Sequence, residues 1–390
     1  MYTLPFDLAL IQSSLREARK DGWLLLGNKE NNPIAKKALG GGAFLSRRFA
    51  LWIPLEGAPT LLVHRIESRS LPPFDIPVLT YTGFVQWRKH LSQVVGGKSL
   101  LLEWHPLGEI SYLSLIDGGV VDLLRELGCT LHSSADLAQH HFLLWNEKQM
   151  ECHQLVAREL THVVHETFQR IRQTPPGGVD EKGVQQWMMD SFLARGIETD
   201  HPPIVAVDAH AGDPHYVPPK EGSSLLGADF VLLIDLWGCH PGPHQTYGDI
   251  TWMARRGQIP EEADRAFHTI LQARDAGILA LETSFSENRF LPGNEVDRIV
   301  RGVVERSGFG SSFTHRTGHS LGVHGGHGLA AQIDSYEAED RRLIESGWAG
   351  TIEPGIYCPQ LGWGVRTEID VVMHPGPIVT TPRQTEWVVI

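Results

Sequence analysis

Asp235, Asp249, His319, Glu353 and Glu368 are residue types that bind cations, and together they supply four carboxylates and one imidazole. Four negative charges balance two divalent ions, and carboxylates shared between the ions offset their mutual repulsion while leaving the pair electrophilic enough to hold a hydroxide. Oxygen-rich ligation of this kind suits Mn²⁺, with Co²⁺, Zn²⁺ and Fe²⁺ as alternatives. Taken singly, the residues have plainer readings. Aspartate often ends strands and turns, which would account for Asp235 and Asp249, and a histidine in a loop is commonly a solvated surface residue. Only the joint set points to a pair of metal ions.

The elements that must position these residues can be read from the chain around them. Phe230-Val231-Leu232-Leu233-Ile234 is an apolar run that delivers Asp235, and Tyr247-Gly248-Asp249-Ile250-Thr251-Trp252 returns Asp249, so the two acids sit on a hairpin. The segment between them, Leu236 to Gly248, reads as its turn and carries His240 and His244. Downstream, four histidines fall within thirteen residues (His315, His319, His324, His327), and the glycines near His319 leave its ring free to approach an ion. Glu353 stands before Pro354-Gly355, where a strand must end. Gly364 to Val372 reads as one alternating strand with Arg366, Glu368 and Asp370 on a single face, and three charges on the inward face of an otherwise apolar strand are readily explained around metal.

At 390 residues the chain is long enough for two domains. Residues 1–145 alternate strand-like runs (Trp23 to Gly27, Phe49 to Pro54, Pro59 to His64, Ser99 to Glu103) with helical ones (Leu8 to Arg19, Phe84 to Val95, Val120 to Leu127), which predicts an α/β domain with a mixed sheet. Gly40-Gly41-Gly42 lacks the strand-to-helix setting of a phosphate loop. From Asn146 the pattern changes. Helices over Glu147 to Gln173 and Asp180 to Arg195, a strand at Pro203 to Val207, the hairpin, helices over Glu261 to Glu282 and Asn294 to Ser307, then strands, predict an α+β domain over 146–390. A net charge of −12 argues against a nucleic-acid partner. Four scattered cysteines without CxxC spacing, no basic segment ahead of an apolar core, and no apolar run long enough to span a bilayer lead to the expectation of a cytoplasmic protein with no membrane association.

Asp235, Asp249, Gly318-His319, Glu353-Pro354-Gly355-Ile356-Tyr357 and Val365-Arg366-Thr367-Glu368, in that order, resemble the metallopeptidase family of Xaa-Pro dipeptidases (prolidases), Xaa-Pro aminopeptidases and methionine aminopeptidases, whose catalytic domain has the pita-bread fold. The resemblance covers about 147–390, and the α/β domain ahead of it is like that of the prolidase and Xaa-Pro aminopeptidase branches. It implies that Asp235 chelates one ion, that Asp249 and Glu368 bridge, and that His319 and Glu353 hold the other. A bridging hydroxide would attack the scissile carbonyl, with Glu353 as proton shuttle. It also implies a substrate contact for His215, within Ala211-Gly212-Asp213-Pro214-His215-Tyr216, an orienting role for Arg366, a pocket-lining place for His315, and a homodimer. The activity it implies is cleavage of short Xaa-Pro peptides, above all dipeptides. Alternatives are an Xaa-Pro aminopeptidase, a small-amide hydrolase, or an inactive peptide-binding relative.

Two features depart from the family pattern. Its two aspartates are usually eleven residues apart, against fourteen here, and its second substrate histidine lies seven residues after the ligand, where this chain has Gly326. His327 restores that histidine with one inserted residue, whereas His324 requires two deletions, so His327 is the preferred candidate.

Overall fold

Trp23, Leu24, Leu25 and Leu26 are buried on both faces of β1 (Gly22–Gly27), as a central strand of a sheet covered on both sides requires. Around it lie β2 (Phe49–Pro54), β3 (Thr60–His64), β4 (Val78–Tyr81), β5 (Ser99–Leu102) and β6 (Thr130–Ser133), in the order β4-β3-β2-β1-β5-β6. β2 runs antiparallel to β1 and β3 and the other pairings are parallel, so the sheet is mixed, as expected. The helices are α1 (Leu8–Ala18), α2 (Pro33–Ala38), α3 (Phe84–Val95), α4 (Gly118–Glu126) and the short α5 (Ala135–Ala138). β4 and β6 escaped the sequence reading because both are edge strands with exposed positions, which leave no apolar run to recognise. The computed structural model describes residues 3–29, 31–41 and 45–390; Met1 and Tyr2 of the amino-terminal start and Gly42 of the triple glycine lie outside the described residues. The chain divides into two compact units, Met1–Leu143 and Leu144–Ile390.

Glu103 is a buried acid of the first unit. It accepts hydrogen bonds from Trp23 Nε1 at 2.7 Å, Asn32 Nδ2 at 2.7 Å and Ser134 Oγ at 3.0 Å. Burial outweighs these three donors and raises its pKa from 4.5 to about 7. An acid whose pKa is raised on folding holds its proton more tightly in the folded chain. The stability it contributes is therefore complete below the unfolded value and is lost as pH climbs through about 7, a change of about 3 kcal/mol. Between about pH 5 and about pH 8 the thermal midpoint of the wild-type chain should fall relative to that of Glu103→Gln. Parallel melting curves across that range would contradict the assignment.

The second unit opens with α6 (Glu147–Gln173), whose start is fixed by a reciprocal capping box between Asn146 and Gln149. α7 (Glu181–Arg195) is capped by Asp180 and ended by Gly196 at φ +67. Three strands of a four-stranded sheet follow, β7 (Ile204–Val207), β8 (Phe230–Cys239) and β9 (Tyr247–Arg256). α8 (Glu261–Ser286) and α9 (Gly293–Arg306) come next, and then β10 (Ala349–Ile352), β11 (Gly355–Cys358), β12 (Trp363–Arg366), β13 (Ile369–Met373), β14 (Pro377–Val379) and β15 (Val388–Val389). Strand order is β15-β9-β8-β7, with a separate β10-β13-β14 sheet and a β11-β12 hairpin. Among the described residues no helix is long and apolar enough to cross a membrane.

Alternation along the β8–β9 hairpin decides where the acids point. Leu232, Ile234, Leu236, Ile250, Trp252 and Ala254 pack with Val156, Leu160, Val163 and Phe168 of α6. Val231, Leu233 and Met253 face the other way, against Phe267 and Ile270 of α8. Asp235, Trp237, Asp249 and Thr251 share this second face. Two expectations need correction. The strand does not end at Asp235 but runs on to Cys239, so only 240–246 form the turn rather than Leu236 to Gly248. Gly364 to Val372 is not one strand: β12 pairs with β11, β13 pairs with β10, and Thr367 and Glu368 cross between them. The crossing is held by Thr367 N–H to Pro354 O at 3.4 Å and Glu368 N–H to Thr251 O at 3.3 Å.

Candidate metal centre

In the hairpin register Asp235 lies opposite Thr251 and Trp237 opposite Asp249, and directly opposed residues of antiparallel strands project to the same side. The backbone N–H of Asp249 donates to Asp370 Oδ2 at 3.1 Å, and Thr251 Oγ1 donates to Glu368 Oε2 at 2.8 Å, so β13 and the crossover are tied to β9 at the acids themselves. His319 arrives on an extended segment whose neighbours bridge to other chain segments, Gly318 to Ile333 and Ser320 to Gly350. That approach is close: a Cβ on Gly318 would lie 2.1 Å from Thr351 O. Gly318→Ala should therefore push the His319 segment off β10, at about 1–3 kcal/mol of stability, with weaker divalent-ion binding by calorimetry; unchanged ion affinity would contradict this placement. Glu353 follows β10, its N–H donating to Thr317 O at 2.7 Å.

Asp249, His319 and Glu368 are brought together, with one ligand atom from each lying within 4.8 Å of the others. His319 Nε2 is 3.7 Å from Asp249 Oδ2, 3.6 Å from Glu353 Oε1 and 4.0 Å from Glu368 Oε1. Its Nδ1 is 3.0 Å from the Ser320 carbonyl, which accepts the ring proton and leaves the Nε2 lone pair facing the carboxylates. Burial, with His327 and Arg316 nearby, holds His319 well below the usual histidine range, so the ring is neutral. The neutral ring thus turns its lone pair toward a cluster of buried acids. Burial and the neighbouring acids raise Asp249 and Glu368 well above the carboxylate range, and burial raises Glu353 to about 7 against the pull of Arg366 and Arg316. Asp235 is also raised by burial, despite Arg366. Oδ1 of Asp235 and Oδ1 of Asp249 are buried without a hydrogen-bond partner. A divalent cation would satisfy all of these groups at once, so the donor set fits one.

Arg366 connects Asp235 to a second line of residues. Its Nη2 donates to Asp235 Oδ2 at 2.6 Å, its Nε to Thr251 Oγ1 at 3.2 Å and its Nη1 to the Tyr357 hydroxyl at 3.0 Å. Tyr357 in turn donates to His315 Nε2 at 2.7 Å, while His315 Nδ1 donates to Arg316 O at 2.6 Å. Burial, aided by Arg366, pushes His315 down to about 3, so it too is neutral. The His327 ring stands 3.9 Å from that of His319, with Arg316 Nη2 3.3 Å from its Nδ1. His324 and His215 are exposed.

Several supporting residues were not legible as such in the sequence. Asp297 of α9 is buried and accepts from Thr317 N–H, from Ser335 N–H and Oγ, and from Arg301, which also donates to Phe313 O and His315 O. This pair anchors the segment that carries His319. Glu181 of α7, fully buried, accepts from Val207 N–H, His210 Nδ1, Tyr216 OH and Ser224 N–H and so fixes the loop bearing His215. Asp370 was read only as part of a charged face, yet it sets Asp249 through the backbone. Nothing in local spacing distinguishes these acids from surface ones; only the contacts do.

The family model described as Metallopeptidase family M24 matches residues 151–375. An uncharacterized peptidase of Staphylococcus aureus is 24% identical over 335 residues, 84% of this chain and 85% of that protein. Among solved structures, dipeptidase PepE from Mycobacterium ulcerans has a TM-score of 0.73 at 22% identity, covering 98% of this chain and 96% of that one. The prolidase from Pyrococcus horikoshii has a TM-score of 0.66 at 20% identity, covering 98% and 99%. At such identities the likeness is one of fold.

Proposed function

The chain belongs to metallopeptidase family M24 and has its pita-bread fold, and from that premise we propose that it hydrolyses Xaa-Pro bonds in short peptides, above all dipeptides. The observation that carries the hydrolytic reading is the neutral His319 Nε2 facing three carboxylates at 3.6 to 4.0 Å beside the unpartnered Asp249 Oδ1. The Xaa-Pro preference is supported by the likeness to a prolidase and a dipeptidase.

In this reading Asp235, Asp249, His319, Glu353 and Glu368 hold two divalent ions, with Mn²⁺ favoured by the oxygen-rich donor set. When bound, the ions polarise the scissile carbonyl and make water acidic enough to attack at neutral pH. Glu353 takes the proton of the attacking water on a carboxylate oxygen and delivers it to the departing nitrogen. A proline leaving group departs from a tertiary amide, whose nitrogen needs that proton. Arg366 holds Asp235 in place through a charge-assisted bond. His327 and His215 contact the substrate, with His324 the alternative to His327, and His315, both of whose nitrogens are engaged, acts through Tyr357. Residues 1–145 form the amino-terminal domain and 146–390 the catalytic one. All four cysteines are free, which suits a reducing cytoplasm, and the working form is a homodimer.

The test is a substrate panel of Xaa-Pro dipeptides, Xaa-Pro-Yaa tripeptides and Xaa-Ala dipeptides, assayed with added Mn²⁺. Highest kcat/KM on Xaa-Pro dipeptides is expected. Preference for the tripeptides would make the chain an aminopeptidase, and equal turnover of Xaa-Ala would remove the proline specificity.

A further inference from the structure

The longer hairpin and the displaced histidine meet in one contact. From the turn, Gln245 Nε2 donates to Val323 O at 2.6 Å, and at the start of β9 Tyr247 N–H donates to Gly322 O at 3.1 Å, so the hairpin end is fastened to the loop that leads to His327. On the ligand-bearing face of the same hairpin, Trp237 lies across from Asp249, and its Nε1 donates to Asp200 Oδ1 at 2.6 Å. Asp200 is brought there by a short pairing just after α7, in which Glu198 and Cys239 exchange both backbone hydrogen bonds at 2.9 and 2.8 Å. The same carboxylate lies against the loop before His327, where a Cβ on Gly325 would sit 3.3 Å from Asp200 Oδ2. Gly326 also packs on the indole so closely that a Cβ there would sit 3.2 Å from Trp237 Cδ1. A side chain at 326 would crowd the indole by a few tenths of an ångström, and the histidine stands one residue later, where the His327 ring lies 3.9 Å from that of His319.

We propose that Asp200 is a positioning residue: through the indole of Trp237, on which Gly326 packs, it holds His327 against the metal ligands. This rests on the hydrolytic reading above and on His327 meeting the substrate there. Asp200 touches no reacting atom, so its effect must run through His327.

A double-mutant cycle on Xaa-Pro dipeptide hydrolysis, at saturating Mn²⁺, separates this from a general structural effect. Removing the histidine in H327A should lower kcat/KM by about a hundredfold, as loss of a group stabilising developing charge does. D200A should lower it by about tenfold through misplacement of that histidine, and should cost nothing further in the H327A background. W237F removes only the indole donor while keeping an aromatic ring; it should reproduce part of the D200A loss, again only while His327 is present, and it carries the cycle alone if D200A does not fold. An equal factor lost with and without His327, or no loss from either variant, overturns the proposal and leaves the hydrolytic reading standing. A wild-type chain that fails to cleave the dipeptide overturns both.

Discussion

Replacing Glu353 by glutamine should lower kcat by about a thousandfold, within the range that general acid–base groups contribute, while the chain still binds divalent ions. Glutamine has the same shape, so the N–H bond to Thr317 and the fit beside Thr351 Oγ1 and His319 persist. One carbonyl oxygen remains to ligate a cation. What disappears is the capacity to take up a proton and return it. KM should change little, because ground-state binding of a dipeptide does not use that proton. A Glu353→Gln enzyme with kcat within a few-fold of wild type would assign proton transfer elsewhere.

The second large effect is expected at Asp249, and it takes opposite signs in stability and in binding. Its carboxylate is buried, has an unpartnered Oδ1, and is raised well above the usual range by burial and by Glu368, Asp235 and Asp370. For an acid raised in this way the stability it contributes is full below its unfolded pKa and lost as pH rises, so at neutral pH an ion-free chain carries the penalty. Asp249→Asn removes the repulsion and keeps the backbone N–H bond to Asp370. With chelator present the variant should melt above the wild type. With excess Mn²⁺ the order should reverse, because the variant should bind ions more than about a hundredfold more weakly, beyond what outer-shell changes cost. Melting curves in the two conditions provide the check; a variant that keeps wild-type ion affinity would remove Asp249 from the ligand set.

The sequence made the elements of the site legible where chemistry and periodicity coincide. The apolar run from Phe230 to Ile234 has the burial of a core strand, and the residues after it alternate between an apolar face and an acidic one. Its end was misplaced because Leu236, Gly238 and Cys239 are themselves buried, while the Trp237 between them is the polar-tipped member that meets Asp200. The Gly364 to Val372 segment shows why alternation alone is ambiguous. A two-residue crossover preserves the alternating sequence while passing the chain from one pairing partner to another, and Glu368 is presented from the crossover rather than from a strand. Asp297, Glu181 and Asp370 act through backbone donors far away in sequence, so their spacing carries no signature. Trp237 and Gly326 are coupled in the same way: each is unremarkable in the sequence, and only their close approach brings them together.

The central claim is that Asp235, Asp249, His319, Glu353 and Glu368 hold catalytic divalent ions. Its most direct test is native mass spectrometry of the full chain, before and after chelation and again after Mn²⁺ is restored, with Xaa-Pro dipeptide turnover followed in the same samples. Two ions per chain, turnover that disappears with them and turnover that returns on their restoration are expected. A chain that retains no ion at any metal concentration, or turnover indifferent to chelation, would contradict the account.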